Sequence, residues 1–195
     1  MDRRRALVGQ RKRLPIYGDF RFIDEWNAGD GVPDANHFFI SGDTTLLSID
    51  LDGTIHFSVP PPSTYVGFRV NNIPQDHSLI ECEINVHTTI AHGIRVLAGG
   101  TNNTGNQITI NGNSLNVLQG SDALTTIKQT AAFPYDTYHT ICVGLDKEKN
   151  DNRVYLDGRF ISMVDNKNLS SISAGSTWIC SQRGSVNIRR LTVFA

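Results

Sequence analysis

Two carboxylates stand two residues apart in the run Leu79-Ile80-Glu81-Cys82-Glu83-Ile84-Asn85-Val86-His87. Apolar and polar residues alternate through it, the pattern of a half-buried strand. On such a strand Glu81 and Glu83 share one face, about 7 Å apart. That falls within the range of about 5–9.5 Å over which a carboxylate pair hydrolyses glycosidic bonds. The competing reading is an ordinary solvated strand face, with Glu81, Glu83, Asn85 and His87 outward and Ile80, Cys82, Ile84 and Val86 inward, and this is the expected one. No enzyme activity is expected.

Sugar binding without catalysis would use aromatic faces beside amides. Trp26, Trp178 and Tyr65 are the rings that could stack, and Asn102, Asn103 and Asn106 the amides that could donate and accept. For calcium, Asp146, Asn150, Asp151 and Asp157 flank one turn-rich stretch, and Asp30, Asp34 and Asp43 lie among turn residues. Calcium takes six to eight oxygens, and no binding-loop spacing is present. No cofactor is therefore expected, with calcium at Asp146 and Asp151 as the single candidate. The six histidines, at 37, 56, 77, 87, 92 and 139, show no zinc spacing. Neither a Ser-His-Asp signature nor a phosphate loop is visible.

Charge is distributed unevenly. The first thirteen residues hold Arg3, Arg4, Arg5, Arg11, Lys12 and Arg13 against the single acid Asp2. The remaining chain has 12 basic and 18 acidic side chains, so a +5 segment precedes a −6 body within a total of −1. A basic arm on an acidic body points to an interaction. The expected partner is protein in a larger assembly, with nucleic acid phosphates the lesser alternative. No apolar run approaches the roughly 20 residues of a membrane span. Ala6-Leu7-Val8 is too short for a signal peptide core, so synthesis in the cytoplasm is expected. Cys82, Cys142 and Cys180 are odd in number and widely spaced; three reduced, mostly buried thiols are expected rather than a disulfide framework.

The elements that must position these residues are strands. Glu occurs only four times, the charged fraction is 19% against roughly 25% in typical domains, and Asn, Ser, Thr and Gly fill the difference. Three hairpins can be registered. Asn111-Gly112 predicts a two-residue turn pairing Ile108 with Leu115 and Thr109 with Ser114. Asp157-Gly158 predicts Tyr155 opposite Phe160 and Val154 opposite Ile161. At Leu51-Asp52-Gly53 a three-residue loop with Gly53 left-handed pairs Ile49 with Ile55 and Leu47 with Phe57. The last strand, Ser185 to Phe194, changes phase, which predicts a bulge near Arg189-Arg190. Pro60-Pro61-Pro62 reads as a link between strands, and residues 99–106 as an exposed loop.

The last third of the chain carries a recognisable pattern. Tyr138-His139-Thr140-Ile141-Cys142-Val143-Gly144-Leu145 precedes a polar turn from Asp146 to Asn152. Val154-Tyr155-Leu156-Asp157-Gly158 comes next, and Val186 to Phe194 closes the chain. This resembles the concanavalin A-like lectin/glucanase superfamily, especially its laminin-G-like and pentraxin-like members. In these an aromatic-His pair opens a strand, a YxDG hairpin follows, and a final strand completes the sheet. Tyr138 stands where Trp is usual, and the paired cysteines near the C-terminus are missing. The resemblance implies a jelly roll, calcium at the loop rim in many members, and an alternating Glu/Asp/Glu motif in the glucanases. Here Asn85 occupies the third position of that motif.

The expectation is thus an all-β antiparallel jelly-roll sandwich over residues 20–195, preceded by a basic arm over 1–19. The expected function is that of a non-catalytic structural or decoration module of a phage or virus particle, anchored by the arm and forming oligomers. The alternatives are a carbohydrate-binding lectin-like domain and, third, a glycoside hydrolase. The expected location is the virion.

Overall fold

The computed structural model describes residues 19–31, 37–59, 66–70, 72, 74, 77–87, 94–98, 105–111, 113–120, 125–146, 148, 152–164, 177–181 and 184–195. In β7, β14 and parts of other strands the description is of backbone and register. Fifteen strands are described: β1 (Phe22–Asn27), β2 (Phe38–Gly42), β3 (Leu47–Ile49), β4 (Ile55–Val59), β5 (Val66–Val70), β6 (His77–Val86), β7 (Ile94–Ala98), β8 (Gly105–Asn111), β9 (Ser114–Gly120), β10 (Thr125–Ala132), β11 (Tyr138–Asp146), β12 (Asn152–Leu156), β13 (Arg159–Val164), β14 (Thr177–Ser181) and β15 (Gly184–Phe194). Among the described residues a 3₁₀ turn, Thr44–Leu46, is capped by Asp43, whose carboxylate accepts from the Thr45 N–H.

The strands form two antiparallel sheets. One runs β13-β12-β11-β6-β15-β4-β3, with β1 also on β15; the other runs β10-β9-β8-β7-β14-β5-β2. The chain crosses between sheets at β1–β2, β2–β3, β4–β5, β5–β6, β6–β7, β10–β11, β13–β14 and β14–β15. That is the jelly-roll form of sandwich expected from alternating patterns that each bury one face. The proline run falls between β4 and β5, which belong to different sheets.

The inward faces close on one another. Phe57 of β4 and Phe68 of β5 meet across the layer with ring centroids 5.4 Å apart, both fully buried. Ile80, Cys82, Ile84 and Val86 of β6 are all buried, as the alternation predicts. A second cluster lies on the outer face of the larger sheet, where Leu79, Cys142 and Tyr155 are covered by Phe20 and Phe194.

The β3–β4 hairpin has the predicted register, Ile49 with Ile55 and Leu47 with Phe57. Gly53 is left-handed at φ +82°, and a Cβ there would lie 2.0 Å from the Gly29 nitrogen. The glycine thus serves both the turn and the close approach of the β1–β2 connection. The bulge in β15 is present, with the register shift between Ile188 and Arg190.

Two register predictions need correction. In β8–β9, Asn111 pairs with Ser114, Ile110 with Leu115 and Ile108 with Val117. The turn therefore sits one residue later than Asn111-Gly112. This register sets four buried apolar residues opposite one another, whereas the predicted one leaves Val117 facing Asn106. In β12–β13, Tyr155 does face Phe160, but a bulge follows and Val154 pairs with Ser162. Both Val154 and Ile161 can then contribute to the core. The predicted loop over 99–106 ends earlier, since Gly105 and Asn106 already belong to β8.

Candidate functional site

The carboxylate pair lies where β6 meets β15. The β15 bulge inserts Arg189 as an extra residue, so two consecutive arginines reach the same outer face. Arg190 donates to Glu81 Oε1 at 2.8 Å and lies 3.9 Å from Glu83 Oε2. Arg189 donates to Glu83 Oε1 and stacks its guanidinium 3.9 Å above the centre of the Tyr138 ring. The hydrogen bond to Glu83 raises the Arg189 pKa above its ordinary value. Beside them Thr192 donates to Glu25 Oε2 at 3.0 Å, and Asn27 to Glu25 Oε1 at 3.2 Å. The face is less solvated than expected: Glu81 and Thr192 are buried. Both glutamates are engaged as ion-pair partners.

Next to this network runs a purely polar row across five strands. Cross-strand partners link Tyr138 (β11) to Asn85 (β6), Asn85 to Asn187 (β15), Asn187 to His56 (β4) and His56 to Ser48 (β3). At about 4.8 Å per strand the row spans roughly 19 Å. Its two rings, Tyr138 and His56, flank two amides. Asn85 is buried, and its Oδ1 has no hydrogen-bond partner among the described residues.

His56 is held from both sides. Its Nδ1 meets Asn187 Oδ1, and its Nε2 lies 3.2 Å from Ser185 Oγ. An amide oxygen only accepts, so Nδ1 carries the proton. Nε2 is then the acceptor, and the Ser185 hydroxyl donates to it. The His87 ring is 6.2 Å from His56, and its Nδ1 is 3.1 Å from Asp136 Oδ1.

The motif behind the resemblance is structural. His139 Nδ1 meets Asp157 Oδ2 at 2.8 Å, while Asp157 Oδ1 accepts from the Thr140 N–H at 2.8 Å. The aromatic-His pair and the YxDG turn therefore brace each other, with Asp157 left-handed at φ 51°. His139 Nε2 also reaches the Pro134 carbonyl.

The structure scatters the sequence-predicted site. Trp26 is a correction: it is buried, donates from Nε1 to the Gly31 carbonyl at 2.9 Å, and packs against Phe68 at 5.5 Å, so its faces are not offered to a sugar. Trp178 occupies a β14 position opposite Arg69 of β5 and Leu97 of β7, in the other sheet. Tyr65, Asn102 and Asn103 lie outside the described residues, as do Arg3, Arg4, Arg5, Arg11, Lys12, Arg13 and Asp151. Asp146 closes β11, is buried, and sits 3.6 Å from His77. Among the described residues no group of three or more His, Cys, Asp or Glu is placed to hold a metal. Ser185, His56 and Asn187 were missed because more than 125 residues separate His56 from its two partners. The polar alternation of β4 and β15 was the only sequence signal.

No family model matches the sequence, and no curated protein matches it. Solved structures do match. A conserved carbohydrate esterase of the Shiga toxin-encoding bacteriophage phi24B is 14% identical at TM-score 0.62, covering 90% of this chain and 99% of that one. The carbohydrate-binding module CBM66 of Bacillus subtilis is 9% identical at TM-score 0.60, covering 82% and 98%. The botulinum neurotoxin serotype D binding domain is 11% identical at TM-score 0.61, covering 89% of this chain and 48% of that one. This chain spans about half of that domain or less. At these identities the likeness establishes a shared β-sandwich fold.

Proposed function

We propose that this chain is a glycan-recognition module of the concanavalin A-like kind, carried by a larger assembly through its basic N-terminal segment. The observation that carries the reading is the polar row Tyr138–Asn85–Asn187–His56–Ser48. Sugars are bound by amides and imidazoles that donate and accept in one plane, with rings alongside. A row roughly 19 Å long across the sheet suits an extended oligosaccharide rather than an enclosed small molecule. A fold does not dictate function, so the likeness to a carbohydrate-binding module supports the reading only as company.

A glycan array, run with and without millimolar calcium, tests it. Hits should then weaken about five- to tenfold in Asn85→Leu and Tyr138→Ala, as expected for loss of one hydrogen bond or one ring face. Asn85→Leu removes a polar group that lacks a partner for Oδ1, so stability should hold. An array without hits, or variants that bind as wild type does, removes this reading.

The second half of the proposal rests on the +5 segment ahead of a −6 body. On this reading the assembly is a phage or virus particle and the partner is protein. Deleting residues 1–13 should abolish incorporation while the sandwich stays folded. Full incorporation of the truncated chain refutes it.

A further inference from the structure

We infer that Ser185 is an activated nucleophile, able to accept the acyl group of a carboxylic ester, with His56 as its general base and Asn187 as the residue that positions the base. The inference stands on the Ser185–His56–Asn187 geometry and does not depend on glycan binding.

Three observations carry it. First, the three side chains form one continuous hydrogen-bond chain. Asn187 Oδ1 can only accept, so His56 Nδ1 holds the proton and Nε2 keeps its lone pair toward Ser185 Oγ at 3.2 Å. A nucleophile, a base within hydrogen-bond reach and a third group orienting the base constitute the arrangement that activates a hydroxyl. Second, all three residues sit on paired strands rather than loops. Asn187 is the cross-strand partner of His56, and Ser185 lies two residues before it on the same face. The Ser185 carbonyl is further held by the His87 N–H at 2.9 Å. Third, the site is reachable. Ser185, His56 and Asn187 are each partly exposed, and Ser58, opposite Ser185, is exposed.

In the forward step Ser185 Oγ bonds to the ester carbonyl carbon and its proton passes to His56 Nε2. The imidazolium returns that proton to the departing alkoxide as the ester C–O bond breaks, leaving an acyl-Ser185 and a free alcohol. Water then attacks the acyl carbon, giving its proton to Nε2. Ser185 Oγ departs with that proton, and a carboxylic acid is released. The ladder amides of β15 are engaged in the sheet, so stabilisation of the intermediate oxyanion falls to side chains. The Asn85 side chain, opposite Asn187 in the β6–β15 ladder, is the neighbouring amide on that face.

The probes are p-nitrophenyl acetate and a fluorophosphonate, both used on the full chain. Wild type should hydrolyse the ester on the order of 10²-fold or more faster than Ser185→Ala and His56→Gln, the scale of general base catalysis. The fluorophosphonate should be found on the peptide containing Ser185 by mass spectrometry. Asn187→Leu should lower the rate while Asn187→Asp retains it, because a carboxylate oxygen still accepts from Nδ1; a merely structural role would not separate the two. Circular dichroism confirms that each variant is folded. Equal rates in wild type and Ser185→Ala, or fluorophosphonate absent from Ser185, overturn the inference. Glycan retention by Ser185→Ala on the array tells this failure apart from failure of the glycan reading.

Discussion

Substitution at the Glu81–Arg190 pair separates an ion pair that supports the sheet from a carboxylate kept for chemistry. Glu81 is 7% exposed and the Arg190 side chain 20%. Removing one partner of a buried pair costs about 3–5 kcal/mol. Water reaches part of Arg190, so Arg190→Met should sit at the lower end, about 3 kcal/mol. Glu81→Gln keeps the shape and leaves Arg190 within 3.9 Å of Glu83 Oε2. It loses one charge-assisted hydrogen bond, about 1.5 kcal/mol. Independent effects would bring the double variant to about 4.5 kcal/mol. Because both changes delete the same contact, Glu81→Gln/Arg190→Met should lose only about 2.5 kcal/mol, a coupling of about 2. Urea unfolding at pH 7 with a common m value measures all four proteins. A coupling below about 0.5 kcal/mol means that Glu81 is hydrated and independent of Arg190. The reasoning would then fail, and hydrolysis of a β-glucan by this face would have to be tested again.

Gly53→Ala should cost about 3 kcal/mol or more, because it adds a left-handed alanine and drives a Cβ to within 2.0 Å of the Gly29 nitrogen. Gly158→Ala, at φ +76° with nothing within 4 Å, should cost only about 1 kcal/mol, and equal losses in urea unfolding would refute the close approach. Burial pushes the Cys82 and Cys142 thiols well up, so both should resist iodoacetamide in the native protein and alkylate in denaturant. Peptide mapping that finds either one modified at neutral pH before unfolding counters the described burial.

Local rules were legible and long-range pairing was not. The alternation of β6, the Leu51-Asp52-Gly53 loop and the β15 phase change each follow from neighbours within a dozen residues, and each is present. The β8–β9 register slipped because Asn-Gly is a strong turn signal locally, while burial of Ile110 against Leu115 is decided by the opposite sheet. Trp26 was a sugar-stacking candidate because indole chemistry is the same in a core as on a surface; only the β1–β15 pairing turns it inward against Phe68. The polar row needed four strand pairings at once, and sequence supplied only that of β3 with β4.

The bulge at Arg189 connects the parts of this face. Before it, β15 pairs with β4; after it, β15 pairs with β1. Without an extra residue, Arg189 and Arg190 would point to opposite sides, and one would enter a core made of Ile188, Leu191 and Val193. With it, both reach outward and neutralise Glu81 and Glu83. The ion pairs then form one border of the polar row and set Arg189 on the Tyr138 ring. On the other side of the bulge Asn187 and Ser185 stay in phase with His56. One inserted residue thus separates a charge-compensated half, which stabilises the sheet, from a neutral half in which His56 is held between Asn187 and Ser185.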